Sequence, residues 1–212
     1  MNLGTYLVTD DDRSGDRSTV DVVEVAIAGG VDVVQLREKG KSARDRYDLG
    51  LRLRTVTREA GVPLIVNDRI DIAAAIDADG VHLGDDDLPV SVARECLGDD
   101  AIVGRSVSTV EAAREAAAAG ADYLGVGAVY RTTSKETDPD ESRIGLDRVR
   151  AIATAVETPF VGIGGITPEN AGDVVAAGAD GVAVISAITG ADDPEAATRS
   201  LSEAVEEGRV TE

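Results

Sequence analysis

Residues 26–37 read Ala26-Ile27-Ala28-Gly29-Gly30-Val31-Asp32-Val33-Val34-Gln35-Leu36-Arg37. An Ala-rich stretch of helical character runs into glycine, and a β-branched run begins at once. The glycine allows the left-handed cap that ends a helix. The Val-rich run suits a strand buried on both faces, the habit of parallel sheets. The junction returns at Ala119-Gly120-Ala121-Asp122 and Ala177-Gly178-Ala179-Asp180. Working outward from it, strands are expected over Thr5–Thr9, Asp32–Arg37, Leu64–Asn67, Gly80–Leu83, Ala101–Arg105, Tyr123–Val126, Phe160–Ile163 and Gly181–Ile185. Helices are expected over Thr19–Ala28, Ser42–Ala60, Ile70–Ile76, Pro89–Leu97, Thr109–Ala119, Leu146–Ala155, Pro168–Ala177 and Pro194–Glu207. Ser42, Thr109 and Thr167 stand where a side-chain oxygen can cap a helix, and Pro168 occupies a first helical position. Eight strand–helix units without a break in composition favour an α/β fold of the (β/α)8 TIM-barrel type, one domain over residues 1–212. An open doubly wound sheet is the structural alternative.

Hydrophobic residues make up 43% of the chain and aromatic residues only 2%, so Val, Ile, Leu and Ala are expected to fill the core. Acidic residues outnumber basic ones 40 to 21, for a formal net charge of −19. Such a field repels nucleic acid and anionic membranes, so neither is expected as a partner. It also repels a phosphorylated substrate unless cations are concentrated at one place. Lys39, Lys41 and Lys135 are the only lysines. An acidic, lysine-poor surface suits a salt-rich cytoplasm, where screening tolerates self-repulsion, and points to a halophilic source. Cys96 is the single cysteine, which fits a reducing cytoplasm. The N-terminus does not read as a secretory leader, and no apolar stretch approaches a membrane span.

Barrel active sites are built at the C-terminal ends of the strands, so chemistry is sought there. Strand two ends Gln35-Leu36-Arg37-Glu38-Lys39. Alternation puts Gln35, Arg37 and Lys39 on one face, where two scarce cations and an amide can receive an anion. Asp68 after strand three and Asp87 after strand four could hold Mg²⁺, which favours one or two carboxylates plus substrate phosphate. Asp85 and Asp86 read either as solvated charges or as caps of the next helix. His82, the only histidine, lies within a strand and reads as a hydrogen-bonded core residue. Ser106 either hydrogen-bonds a substrate ring or caps the following helix. After strand six, Thr132-Thr133-Ser134-Lys135 offers three hydroxyls and a lysine to a phosphate, within a long polar connection, Tyr130 to Arg143, that reads either as an active-site lid or as a disordered loop. Strand seven ends Gly162-Ile163-Gly164-Gly165-Ile166-Thr167-Pro168, a glycine turn before a helix N-terminus. Strand eight ends Val184-Ile185-Ser186. Phosphates in barrels commonly bind between these two loops.

These segments together resemble the thiamine phosphate synthase family along nearly the whole chain. The matching pieces are Gln35-Leu36-Arg37-Glu38-Lys39, Asn67-Asp68-Arg69, Gly80-Val81-His82-Leu83-Gly84, Thr132-Thr133-Ser134-Lys135, Gly162-Ile163-Gly164-Gly165-Ile166 and Val184-Ile185-Ser186-Ala187-Ile188. The resemblance implies that Gln35, Arg37, Lys39 and Asn67 bind a pyrimidine diphosphate, with Lys135 on its pyrophosphate. It implies that Ser106 touches the pyrimidine and that Asp68 and Asp87 hold Mg²⁺. Thr132, Ser134, Gly164, Ile185 and Ser186 would receive a thiazole phosphate. It further implies a homodimer and, with the charge, a halophilic archaeon. Lys135, Arg37, Lys39 and Ser106 are the residues expected to carry the chemistry. The chain departs from the family pattern at Asp85, commonly Gln, at Ser134, commonly Thr, and over Ala128–Thr132. Arg131 is expected to offset Asp85.

Three rivals remain on sequence grounds. A thiazole tautomerase relative should carry a histidine near Ser108 or Thr109, and none is there. A sugar-phosphate isomerase barrel needs an acid–base pair on strand ends. A non-catalytic binding barrel would not need the leaving-group ligands.

Overall fold

The structure, a computed structural model, describes residues 1–132 and 143–210. Eight parallel strands close into a barrel in sequence order. They are β1 (Thr5–Val8), β2 (Val33–Leu36), β3 (Leu64–Asn67), β4 (Gly80–Leu83), β5 (Ile102–Val107), β6 (Tyr123–Gly127), β7 (Phe160–Ile163) and β8 (Gly181–Val184). The ring closes where Tyr6 of β1 pairs with Ala183 of β8 on one side and Val33 of β2 on the other. Around it run α1 (Thr19–Ala28), α2 (Ala43–Ala60), α3 (Ile70–Ala75), α4 (Val90–Leu97), α5 (Val110–Ala118), α6 (Gly145–Ala155), α7 (Pro168–Ala176) and, after a short α8 (Ser186–Thr189), α9 (Pro194–Arg209). The closed ring excludes the open sheet. Two short elements escape the sequence reading: α8 and a 3₁₀ turn at Asp11–Arg13. One boundary matters for function, because β5 continues through Ser106 to Val107 and so leaves Ser106 on the strand.

Capping follows the expected chemistry. Ser42 Oγ accepts from Asp45 N–H at 3.1 Å and Thr109 Oγ1 from Ala112 N–H at 3.1 Å. Thr109 therefore caps α5, and Ser106 is not its cap.

Alternation splits the strand residues between two cores. Outward residues such as Leu7, Val34, Leu36, Val66 and Leu124 pack under the helices. Inward residues such as Tyr6, Val8, Val33, Ile65, Tyr123 and Val161 fill the barrel itself. Val, Ile, Leu and Ala dominate the outer layer as composition suggested. The interior corrects that expectation, since two tyrosines, Gln35 and His82 are also buried there.

The recurring Asp before a strand proves to be a clamp. Asp32, Asp79, Asp122 and Asp180 precede the even-numbered strands. Their carboxylates accept the N–H of Thr5, Leu64, Val103 and Phe160 at 2.8, 2.7, 2.7 and 2.8 Å. Each Asp N–H returns a bond to the carbonyl of that same residue, at 2.8 to 3.0 Å. The clamps satisfy polar groups at the base of the barrel, opposite the mouth formed by the C-terminal ends of the strands. Asp122 also holds Arg94 at 2.7 Å. Replacing it (Asp122→Ala) should cost about 1–3 kcal/mol, because a buried strand N–H loses a charged acceptor. Urea denaturation at high salt measures it, and an unchanged midpoint would refute the clamp. Among the described residues no helix is long and apolar enough to cross a membrane.

Candidate active site

The mouth of the barrel has two chemically different sides. On the first, β2 delivers cations. Arg37 is nearly buried, its backbone N–H bonded to Thr9 Oγ1 at 3.1 Å and its guanidinium 4.0 Å from Asp10. Lys39 reaches Asp68 at 3.3 Å. Glu38 turns the other way, as alternation requires, and accepts from Asp11 N–H and Thr19 Oγ1, each at 3.0 Å. Burial raises its pKa above the usual carboxylate value.

Asp68 sits on a tight turn with φ 63°, a left-handed conformation that Asp tolerates better than most side chains. Its N–H donates to His82 O at 2.8 Å. Asp87 closes its own turn by accepting Gly84 N–H at 2.6 Å. The two carboxylates meet within hydrogen-bonding reach, and burial first, then the hydrogen bond with Asp68 and its charge, push the Asp87 pKa up. Facing carboxylates with one flexible lysine beside them are a donor set that a divalent cation would relieve. Among the described residues no larger group of His, Cys, Asp and Glu gathers for a metal. Mg²⁺ fits such a pair, because it takes few protein ligands and completes its shell with phosphate and water.

The second side is a cavity of about 1020 Å³ lined by β4 to β8 and their loops. Ser106, Thr132, Gly164, Ile185 and Ser186 all line it. Gly164 and Gly165 adopt φ 103° and 65°, and a Cβ at Gly164 would stand 2.6 Å from Ala128 Cβ. The turn therefore brings backbone close in where a side chain would not fit. Arg37, Lys39, Asp68 and Asp87 are not among its lining residues, whereas the exposed Asp85 and Asp86 are. The first four adjoin it through Gly84, which lines the cavity and bonds Asp87. Ser134 and Lys135 lie outside the described residues, as does most of the Tyr130–Arg143 connection.

Several neighbours were not foreseen. Asp10 stands beside Arg37 and pairs with Arg13 at 3.1 Å. Asp85 finds its partner in Arg105 at 3.0 Å, on the adjacent strand, where Arg131 was expected. Asp85 and Asp86 are exposed and do not cap α4, which begins after Pro89. His82 is the hydrogen-bonded interior residue expected, joining Ser106 Oγ and Tyr123 Oη at 2.9 Å each. Gln35, also interior, donates to Tyr6 Oη at 2.8 Å. Burial raises the pKa of both tyrosines, so each keeps its proton. The inward parity of Tyr6, Gln35, His82, Ser106 and Tyr123 along their strands was the available clue to this group.

Residues 5–188 match the family model described as thiamine monophosphate synthase. The chain belongs to that family. The thiamine-phosphate synthase of Natronomonas pharaonis is 71% identical over 97% of this chain and 96% of its own length. That of Haloarcula marismortui is 67% identical over 99% of this chain and 100% of its own. Both relatives come from halophilic archaea, in keeping with the acidic, lysine-poor composition. The solved thiamine phosphate pyrophosphorylase of Pyrococcus furiosus superposes with a TM-score of 0.89, at 42% identity and 98% coverage of both chains. Membership of the thiamine monophosphate synthase family gives the two-sided mouth its chemical context, because one side offers cations and carboxylates and the other a glycine-lined cradle.

Proposed function

We propose that this chain condenses 4-amino-2-methyl-5-hydroxymethylpyrimidine diphosphate with 4-methyl-5-(2-phosphoethyl)thiazole, giving thiamine phosphate and pyrophosphate. The observation that carries the reading is the division of the mouth. Arg37, Lys39 and the Asp68–Asp87 pair occupy β2 to β4, and the Gly164–Gly165 turn lies across from them.

Arg37 and Lys39 neutralise the leaving diphosphate, joined by Lys135. Asp68 and Asp87 hold Mg²⁺, which when bound supplies further positive charge to that group. The bond between the pyrimidine methylene carbon and the diphosphate oxygen breaks, and its electron pair leaves with pyrophosphate. The aminopyrimidine spreads the resulting positive charge, and the thiazole nitrogen lone pair forms the new C–N bond. No protein nucleophile is required, so charge neutralisation and placement carry the rate. Gln35, Asn67 and Ser106 orient the pyrimidine. Thr132, Ser134, Gly164, Ile185 and Ser186 receive the thiazole phosphate, the Gly164–Gly165 turn through backbone N–H groups. The proposal includes a homodimer and a cytoplasmic setting, with residues 1–212 acting as one barrel domain.

Purified protein incubated at high salt with Mg²⁺ and both substrates should release pyrophosphate and thiamine phosphate in equal amounts. Absence of product from this substrate pair at every salt concentration would end the reading. Lys135→Ala should lower kcat by about 10²-fold or more, the usual loss when a fixed charge on a leaving group is removed.

A further inference from the structure

Beneath the cavity, five inward side chains form one unbroken line of hydrogen bonds. Gln35 Nε2 donates to Tyr6 Oη at 2.8 Å, and Tyr6 Oη meets Tyr123 Oη at 2.8 Å. Tyr123 Oη meets His82 Nδ1 at 2.9 Å, and His82 Nε2 meets Ser106 Oγ at 2.9 Å. The line starts on β2 and surfaces on β5, where Ser106 borders the cavity. A chain with four tyrosines, one phenylalanine and one histidine commits two tyrosines and its histidine to this interior. Glycines make the room. A Cβ at Gly104 would lie 2.5 Å from Tyr123 Oη, and one at Gly125 would lie 3.0 Å from His82 Cε1.

The line has a direction. The Gln35 amide nitrogen can only donate, so the Tyr6 oxygen accepts from it. The Tyr6 proton must then find its own acceptor. Among the described residues that acceptor is Tyr123 Oη. The Tyr123 proton passes to His82 Nδ1, which a neutral imidazole allows only if Nε2 carries the ring proton. Nε2–H then donates to Ser106 Oγ, and the Ser106 proton is left to point at the cavity. In the reverse direction the fully buried Tyr6 proton has no acceptor among the described residues, which buried groups strongly avoid.

We propose that Tyr6, Tyr123 and His82 are positioning residues that hold the Ser106 hydroxyl as a donor toward the cavity, so that the site selects a ligand presenting a ring-nitrogen lone pair there. The inference rests on the proposed function, in which that ligand is the aminopyrimidine.

The single histidine makes the direction directly readable. Substrate-free protein labelled with ¹⁵N in histidine alone gives one imidazole spectrum, and the proton is expected on Nε2. A proton on Nδ1 overturns the direction, whether or not the protein makes product. In kinetics, Tyr123→Phe and Ser106→Ala should each lower kcat/KM for the pyrimidine diphosphate about tenfold or more, with KM for the thiazole phosphate unchanged. The double variant should lose no more than Ser106→Ala, since both changes act at one hydroxyl. Losses that multiply overturn the coupling, as does an unaltered Tyr123→Phe. If Tyr123→Phe fails to fold, Tyr6→Phe breaks the line one link earlier and the same outcomes apply. Pyridine analogues, each ring nitrogen replaced in turn by C–H, then identify the partner atom. One analogue should lose the same factor in wild type and gain no further loss in Ser106→Ala. Equal penalties in both proteins for both analogues overturn the selection. Wild-type protein that turns over neither substrate defeats the proposed function instead, and the ¹⁵N measurement still decides the relay.

Discussion

Asp68→Ala and Asp87→Asn should each lower kcat by about 10²–10³-fold, the scale seen when electrostatic support of a developing charge is removed. The expectation follows from geometry. Asp68 is presented by a left-handed turn beside Lys39, and Asp87 is fixed by Gly84 N–H. Burial first, and then the neighbouring Asp68, raise the Asp87 pKa even with Lys39 beside the pair, so the two carboxylates oppose each other. Asp87→Asn keeps an oxygen to accept from Gly84 and removes one of the two opposed charges. The metal-free variant should therefore be more stable, by about 2 °C or more in Tm, since each kcal/mol relieved shifts a chain of this size by roughly 2–4 °C. Loss of turnover together with a gain in metal-free Tm marks a site strained for function. Mg²⁺ titrations of both variants should show weakened activation. Wild-type rates in both would remove the metal assignment, and a lowered Tm in Asp87→Asn would remove the repulsion argument.

Gly164→Ala should raise KM for the thiazole phosphate about 10- to 100-fold and leave KM for the pyrimidine diphosphate near its wild-type value. An added Cβ meets Ala128 Cβ at 2.6 Å and its Cα at 2.8 Å, and φ 103° is unfavourable for any side chain. Relief requires the turn to withdraw from the cavity, and its N–H groups withdraw with it. The strain should also cost about 1–3 kcal/mol of stability. Steady-state kinetics with each substrate varied separately reads the effect. An equal rise in both KM values would mean that the turn supports the mouth in general and does not form a dedicated phosphate cradle.

The barrel was legible because its information is local. Helix ends, capping glycines and Val-rich runs recur at each βα junction, and eight of them in order leave few topologies open. The Asp that follows those glycines was visible as an echo. Its use as a clamp was not, because the bonded N–H belongs to the preceding strand, 15 to 27 positions away in all four cases. At the site, residue types at strand ends were readable and their partners were not. Arg37 turned out to lie by Asp10, and Asp85 by Arg105, since pairing between neighbouring strand ends depends on stagger that no single segment encodes.

The sequence by itself determined the alternation of elements, the alternation of side chains between the two faces at the end of strand two, and the few places where cations could collect in an acidic chain. Those features follow from periods of two and 3.6 residues and from counting charges. Only closure of the barrel decided that Tyr6 would meet Tyr123 across 117 positions, that Gln35 and Ser106 would share one line of hydrogen bonds, and that two carboxylates would face each other. Those contacts arise where strands distant in the chain are brought side by side, and short-range pattern carries no record of them.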